Sequence, residues 1–258
     1  MTKSVRVFLV THGSSDPRSW HGLQNLVQAV QGAYPHWQVG GGCLEGQAQT
    51  LAEQLITFTQ VTFRSMPPSA DPTTGKIYVV PLFLLAGVHT MVDIPEQLQE
   101  AQTKLPPSID LEVLPHLGAH PDLPQILGAI FQAGEQNFPQ GFPINDNDLN
   151  KYSTKRLIVA HGSRRPGANQ GIVELAAQVD ASASFWAAAP SWEEQLNQWH
   201  QEGIQQVMVL PYFLIPGGIT EIIASKINGC NGWSSMNLKL LPLPFSSDTI
   251  IKLLNSLG

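Results

Sequence analysis

Three side chains able to handle a cation and protons stand in short, glycine-bearing phrases: His12 in VTHGSSDPR, Glu45 in CLEG and His89 in LLAGVHTMVDIP. Neutral imidazole and carboxylate are ligands for borderline divalent metals such as ferrous iron, cobalt, nickel or zinc. Histidine also accepts a proton near neutral pH. A reaction that delivers a metal and collects protons would use both properties. A closed structural metal site usually takes four ligands with outer support, which this set does not offer. Each residue alone has an ordinary explanation. His12 fits a turn residue with Ser14 capping the next helix, His89 a loop histidine, and Glu45 a solvated carboxylate. Together, at three strand ends, they point to function.

The elements that must position them alternate in type. Val5–Thr11, Val39–Glu45, Ile77–Leu85 and Leu111–Leu114 read as strands. Trp20–Tyr34, Thr50–Gln60, Ile94–Leu105 (starting near Pro95) and Leu123–Ala133 carry helical spacing. Four strand–helix units predict a parallel sheet covered on both faces, with ligands beyond the carboxyl ends of its strands. His12, Glu45 and His89 each directly follow a strand.

The chain then repeats the series. VRVFLVTHGSSDP (5–17) aligns with TKRLIVAHGSRRP (154–166), CLEGQAQTLAEQL (43–55) with SFWAAAPSWEEQL (184–196), and IYVVPLFLLAG (77–87) with VMVLPYFLIPG (207–217). A duplicated domain follows: residues 1–133, a Pro/Gly/Asn-rich linker over 134–153, and 154–258, with a surface loop over 65–75. The expected fold class is α/β, two doubly wound, flavodoxin-like parallel-sheet domains with a cleft between them. The repeat is also an internal control. It places His161 opposite His12, but Ile219 opposite His89 and Trp186 opposite Glu45. The first copy is therefore the expected seat of chemistry.

With 258 residues and a net charge of -6, nothing favours nucleic acid or an anionic membrane. The start is too soon polar for a secretory signal, and no apolar run reaches spanning length. Two cysteines, Cys43 and Cys230, suit a reducing, cytoplasmic setting. Neither GxGxxG nor GxxxxGK[ST] follows the first strand, which argues against a nucleotide or flavin protein.

VTHGSSDPR, the CLE at 43–45, VVPLFLLAGVHTMVDIP and LPHLGAHPDL together resemble the class II chelatases, in particular the long two-domain sirohydrochlorin chelatases. The likeness spans nearly the whole chain, with degenerate AHGS and LPYFLIPGG versions in the second copy. It implies a lyase that inserts a divalent metal into the tetrapyrrole sirohydrochlorin for sirohaem or cobalamin synthesis. Fe2+ comes ahead of Co2+ as the metal substrate, and no cofactor is permanently bound. By motif position His12, His89 and Glu45 are the implied catalytic and metal-handling residues. Ser14, Ser15, Arg18, Arg164 and Arg165 are candidate partners for the substrate's carboxylates, and Leu84 and Leu85 for its apolar faces. Met91, Phe213 and Leu214 are further wall candidates, while His116 and His120 lie near the same edge. The expected partners are the tetrapyrrole and the ion, handled by a monomer of two pseudo-symmetric halves. A non-catalytic metal or tetrapyrrole carrier is the alternative.

Overall fold

A computed structural model of the chain describes residues 5–64, 75–136, 138, 154–229, 232–233 and 235–255. The first sheet contains β1 (Arg6–Gly13), β2 (Gln38–Glu45), β3 (Gly75–Pro81) and β4 (Ile109–Val113), all parallel, in the order β2-β1-β3-β4. The second contains β5 (Lys155–Ala160), β6 (Ser182–Phe185), β7 (Gln206–Tyr212) and β8 (Asn237–Leu240), parallel in the order β6-β5-β7-β8. Continuous apolar runs such as Val7–Val10 and Leu157–Ala160 are buried along their whole length. That is the signature of a parallel strand covered on both faces. In each sheet the chain steps to one side of the first strand and then to the other. This switch in direction opens a crevice at the carboxyl edge.

The helices of the first copy are α1 (Pro17–Ala33), α2 (Leu51–Arg64), α3 (Ile94–Lys104) and α4 (Leu123–Gln136). Those of the second are α5 (Gln170–Gln178), α6 (Trp192–Gln201), α7 (Gly218–Gly229) and α8 (Ser247–Leu254). Their starts are written in polar residues. Asp16 caps α1 through Arg18 N–H, with Pro17 at the first helical position. Ser191 and Glu194 form a reciprocal capping box on α6, and Thr50 and Glu53 make the same pair of bonds at α2.

Two compact units emerge, residues 1–120 with 246–258, and residues 121–245. They differ from the division at 133 and 154 in one respect: the last helix of each copy belongs to the other copy's unit. Helix α4 turns Leu127, Phe131 and Gly134 inward, and Glu135 pairs with Arg156 of β5 at 2.7 Å. A Cβ on Gly134 would stand 2.8 Å from Leu241 and 2.9 Å from the Met208 sulfur, so glycine lets α4 approach without moving those side-chain ends. Helix α8 receives the Tyr34 hydroxyl on the Ile251 carbonyl at 2.8 Å.

Two expected boundaries move. β3 ends at Pro81, not Leu85, because proline lacks the N–H that would continue the ladder. The third helix begins with a π turn at His89–Asp93, five residues before the expected start at Ile94. The surface loop at 65–75 falls, but for Gly75, outside the described residues, as does most of the 134–153 linker; its first three residues complete α4.

Candidate functional site

Register delivers the first two candidates. In the β1–β2 ladder Thr11 pairs with Cys43 and Gly13 with Glu45, so His12 and Glu45 leave adjacent strands at the same level. Gly13 has φ +82, and a Cβ there would lie 2.0 Å from the Glu45 carbonyl oxygen. Only glycine lets the two chains close at this point, which explains the His-Gly spelling. Gly162 repeats it with φ +76 against Phe185.

The third candidate arrives on the π turn. A π turn widens the helix by one residue and is frequent at functional sites. Here it brings Asp93 onto His89, with Nδ1 and Oδ2 2.6 Å apart. The outcome is a close pair of imidazoles, His12 Nε2 and His89 Nε2 at 3.1 Å, with rings nearly perpendicular at 84°. The Phe83 ring lies 6.5 Å from one and 6.2 Å from the other, centre to centre. Glu45 Oε1 is 4.0 Å from His12 Nε2.

The other ring nitrogens assign the tautomers. His12 Nδ1 is 3.0 Å from the Gly13 carbonyl, and His89 Nδ1 faces a carboxylate. Both partners only accept, so both Nδ1 atoms donate. In the neutral rings the two Nε2 lone pairs then point at one another. Such a pair is repulsive unless something positive lies between. A proton shared as N–H···N fits 3.1 Å, and so does a divalent ion: about 2.1 Å from each nitrogen, it would subtend roughly 95°.

The expected three-donor set is not assembled as such. Among the described residues no three ligating side chains form a preformed cluster. Two imidazoles meet, while Glu45, whose side chain is 63% exposed, stands off at the lip. Of the other candidates, Ser14 Oγ accepts Asp16 N–H, and Ser15 is exposed. Arg18 bonds back to Asp16 at 2.7 Å, which commits part of its guanidinium to the helix cap. Leu84 and Leu85 are half-buried in the loop after β3, beside exposed Val88, Met91 and Val92. His116 bonds the Phe83 carbonyl through Nδ1 at 3.1 Å and so anchors that loop. Arg164 and Arg165 lie in the second unit, at the matching turn.

Sequence reasoning missed Asp93. The signal was present, since His89 and Asp93 stand four apart in HTMVD, a spacing that faces side chains together once the segment is helical. One alignment also needs correction. By register Cys43 matches Phe185, so Glu45 corresponds to Ala187, not Trp186. The second copy is one residue shorter in the loop before α6, which moves the match. Leu44 and Trp186 then share a role, each packed partly buried against its own core. His89 still matches Ile219, because Gly87 N–H bonds Thr90 Oγ1 and Gly217 N–H bonds Thr220 Oγ1 identically. Asp93 matches Ile223, which is wholly buried. The second copy thus lacks both halves of the His89–Asp93 pair.

Comparison with known proteins places these features in context. The CbiX family model matches residues 6–132 and 155–240. A sirohydrochlorin ferrochelatase of Priestia megaterium is 28% identical over 162 residues, 59% of this chain and 55% of its own. A sirohydrochlorin cobaltochelatase of the same organism is 24% identical over 159 residues, 58% of this chain and 49% of its own. The matches thus span about half the length of these relatives. Among solved structures, SirB from Bacillus subtilis with Fe3+ superposes with a TM-score of 0.69 at 17% identity, covering 98% of this chain and 94% of that one.

Proposed function

From the premise that the chain belongs to the CbiX family, we propose that it is a sirohydrochlorin chelatase, a lyase inserting a divalent metal into that tetrapyrrole, with ferrous iron ahead of cobalt. The active site lies in the first copy, residues 1–133. The observation that carries the reading is the convergence of the His12 and His89 Nε2 atoms at 3.1 Å with both Nδ1 atoms already committed.

Insertion exchanges one M2+ for two pyrrole protons. The imidazole pair first seats the ion between its Nε2 atoms, with Glu45 at the lip to receive it as water is shed. Asp93 keeps the His89 lone pair aimed at that position. When the ion moves to the four ring nitrogens, the emptied gap takes up one pyrrole proton as a shared N–H···N bond and the Glu45 carboxylate takes the other. Glu45 Oε1, 4.0 Å from His12 Nε2, passes protons on to solvent. Two imidazoles with one detached carboxylate hold an ion less tightly than a closed four-donor site, as a reaction that must release it requires.

The macrocycle is flat and apolar on its faces and carries carboxylates at its edge. Val88, Met91 and Val92 are 39%, 70% and 42% exposed beside His89, and with Leu84 and Leu85 they offer an apolar seat. Ser14 and Ser15 at the start of α1 offer donors to the carboxylates.

The test is absorbance spectroscopy of sirohydrochlorin with excess Fe2+ or Co2+ and trace protein. Many equivalents of metallated product per chain are expected. Conversion that stops at one equivalent would make the protein a carrier and overturn the reading.

A further inference from the structure

Duplication copied a strand-end edge, and the second copy reversed its charge. At matching positions Ser15 becomes Arg164, Asp16 becomes Arg165, Glu45 becomes Ala187 and Asp93 becomes Ile223. Three carboxylates are lost; two guanidinium groups are gained and one is lost, since Arg18 becomes Gly167. The edge that seats a cation in the first unit is built for an anion in the second.

A cavity opens at this reversed edge. Its volume is about 580 Å3, and Ser163, Arg164, Asn169, Trp186, Ala187 and Glu194 contribute to its wall. That volume is in the range of small-molecule sites, and the pocket is an open groove on the surface, not an enclosed chamber. The run Ala187–Ala188–Ala189 provides the space, since no side chain beyond a methyl fills it. Helix α5 also starts four residues later after its proline than α1 does, which lets Asn169 join the wall. Arg164 is pinned over the opening. Its Nε donates to the Ala187 carbonyl at 3.2 Å, and its two terminal nitrogens have no partner among the described residues. The one carboxylate in the wall is already employed: Glu194 accepts Ser191 N–H at 2.9 Å, as Glu53 accepts Thr50 N–H at 2.9 Å in the first copy. That bond holds Glu194 below the usual carboxylate range. It serves a helix start common to both copies. Trp186 adds an aromatic surface.

We propose that this cavity is a metal-free binding site for a carboxylate-bearing conjugated ring. The acid group docks on the free fork of Arg164, and the ring lies along Trp186 and the alanine run. The ligand class rests on the chelatase reading above, which makes a polycarboxylate tetrapyrrole the substrate. The bidentate fork matches a carboxylate. The second imidazole and the matching carboxylates are lost, which leaves His161 with no facing imidazole among the described residues, so this site holds the ring without metallating it.

Amide hydrogen exchange locates the binding directly. The full chain is titrated with metal-free sirohydrochlorin, and exchange is read in peptides covering 184–194. Wild type should gain protection there. The concentration for half-protection should rise about tenfold in Arg164→Gln, the usual scale for losing hydrogen bonds to a charged partner. Arg164→Lys should recover part of it, and Ala188→Phe, which fills the cavity without touching the charge, should abolish it. The permethyl ester of the same ring should give none. No protection in wild type, or equal half-protection in wild type, Arg164→Gln and Ala188→Phe, would overturn the proposal. Wild-type metal insertion, measured on the same sample, separates the two readings: protection without insertion sinks the chelatase assignment and keeps the site, and insertion without protection does the reverse.

Discussion

Asp93→Ala removes the acceptor that fixes His89. The 2.6 Å contact is a bond to an ionised oxygen, and such outer partners of ligating histidines are worth 10–100-fold in metal affinity or activity. Both side chains are partly exposed, 41% for His89 and 37% for Asp93, so solvent screens the contact and the lower part of that range applies. A loss of about 10–30-fold in kcat/KM for the metal is expected, roughly 1.4–2 kcal/mol of transition-state stabilisation. Asp93→Asn keeps an oxygen able to accept Nδ1–H but without charge, and should lose only a few-fold. The assay is insertion rate against metal concentration at saturating sirohydrochlorin, repeated in a His89→Ala background. If Asp93 acts through the imidazole, its removal there should change little further. An equal loss in both backgrounds would refute the reasoning, because the carboxylate would then be acting on its own.

Three further outcomes follow from the geometry. Gly13→Ala forces a left-handed alanine against the Glu45 carbonyl and should cost roughly 2 kcal/mol or more of stability in denaturant titration, with insertion lost. Gly162→Ala imposes similar strain against Phe185 in the second unit and should destabilise while leaving a larger share of activity. Burial pushes the Cys43 thiol up from its ordinary value. The raised value adds stability that is complete below the ordinary thiol pKa of about 8.5 and is lost as pH rises through the raised one. Cys43→Ala should therefore flatten the alkaline fall in stability, and native Cys43 should resist iodoacetamide until the chain unfolds.

The strand-end logic made the site legible because apolar runs of strand length are explicit in the sequence and the topology does the rest. His12, Glu45 and His89 stand far apart in the chain, yet parallel register sends them to one edge. What stayed hidden was local geometry. A π turn has no propensity signature, so HTMVD read as a loop before a helix at Pro95, and Asp93 went unnoticed. The pairing of Glu45 with Trp186 failed because an ungapped alignment cannot show a one-residue loop deletion, and one residue turns a strand's side chains to the opposite face. The exchange of α4 and α8 was hidden for a different reason. An amphipathic pattern says that a helix has a buried face, and Leu123, Leu127 and Phe131 supply one, but it does not say which sheet receives it.

The central claim is that the facing nitrogens of His12 and His89 share one cation, and that His161, alone on its edge, does not. Metal insertion into sirohydrochlorin by His12→Ala, His89→Ala and His161→Ala, with Fe2+ and Co2+ in separate reactions, tests it directly. Losses of about a hundredfold or more are expected for the first two, and a mild change for the third. Full activity in His12→Ala or His89→Ala, or a loss in His161→Ala as large as theirs, would contradict it.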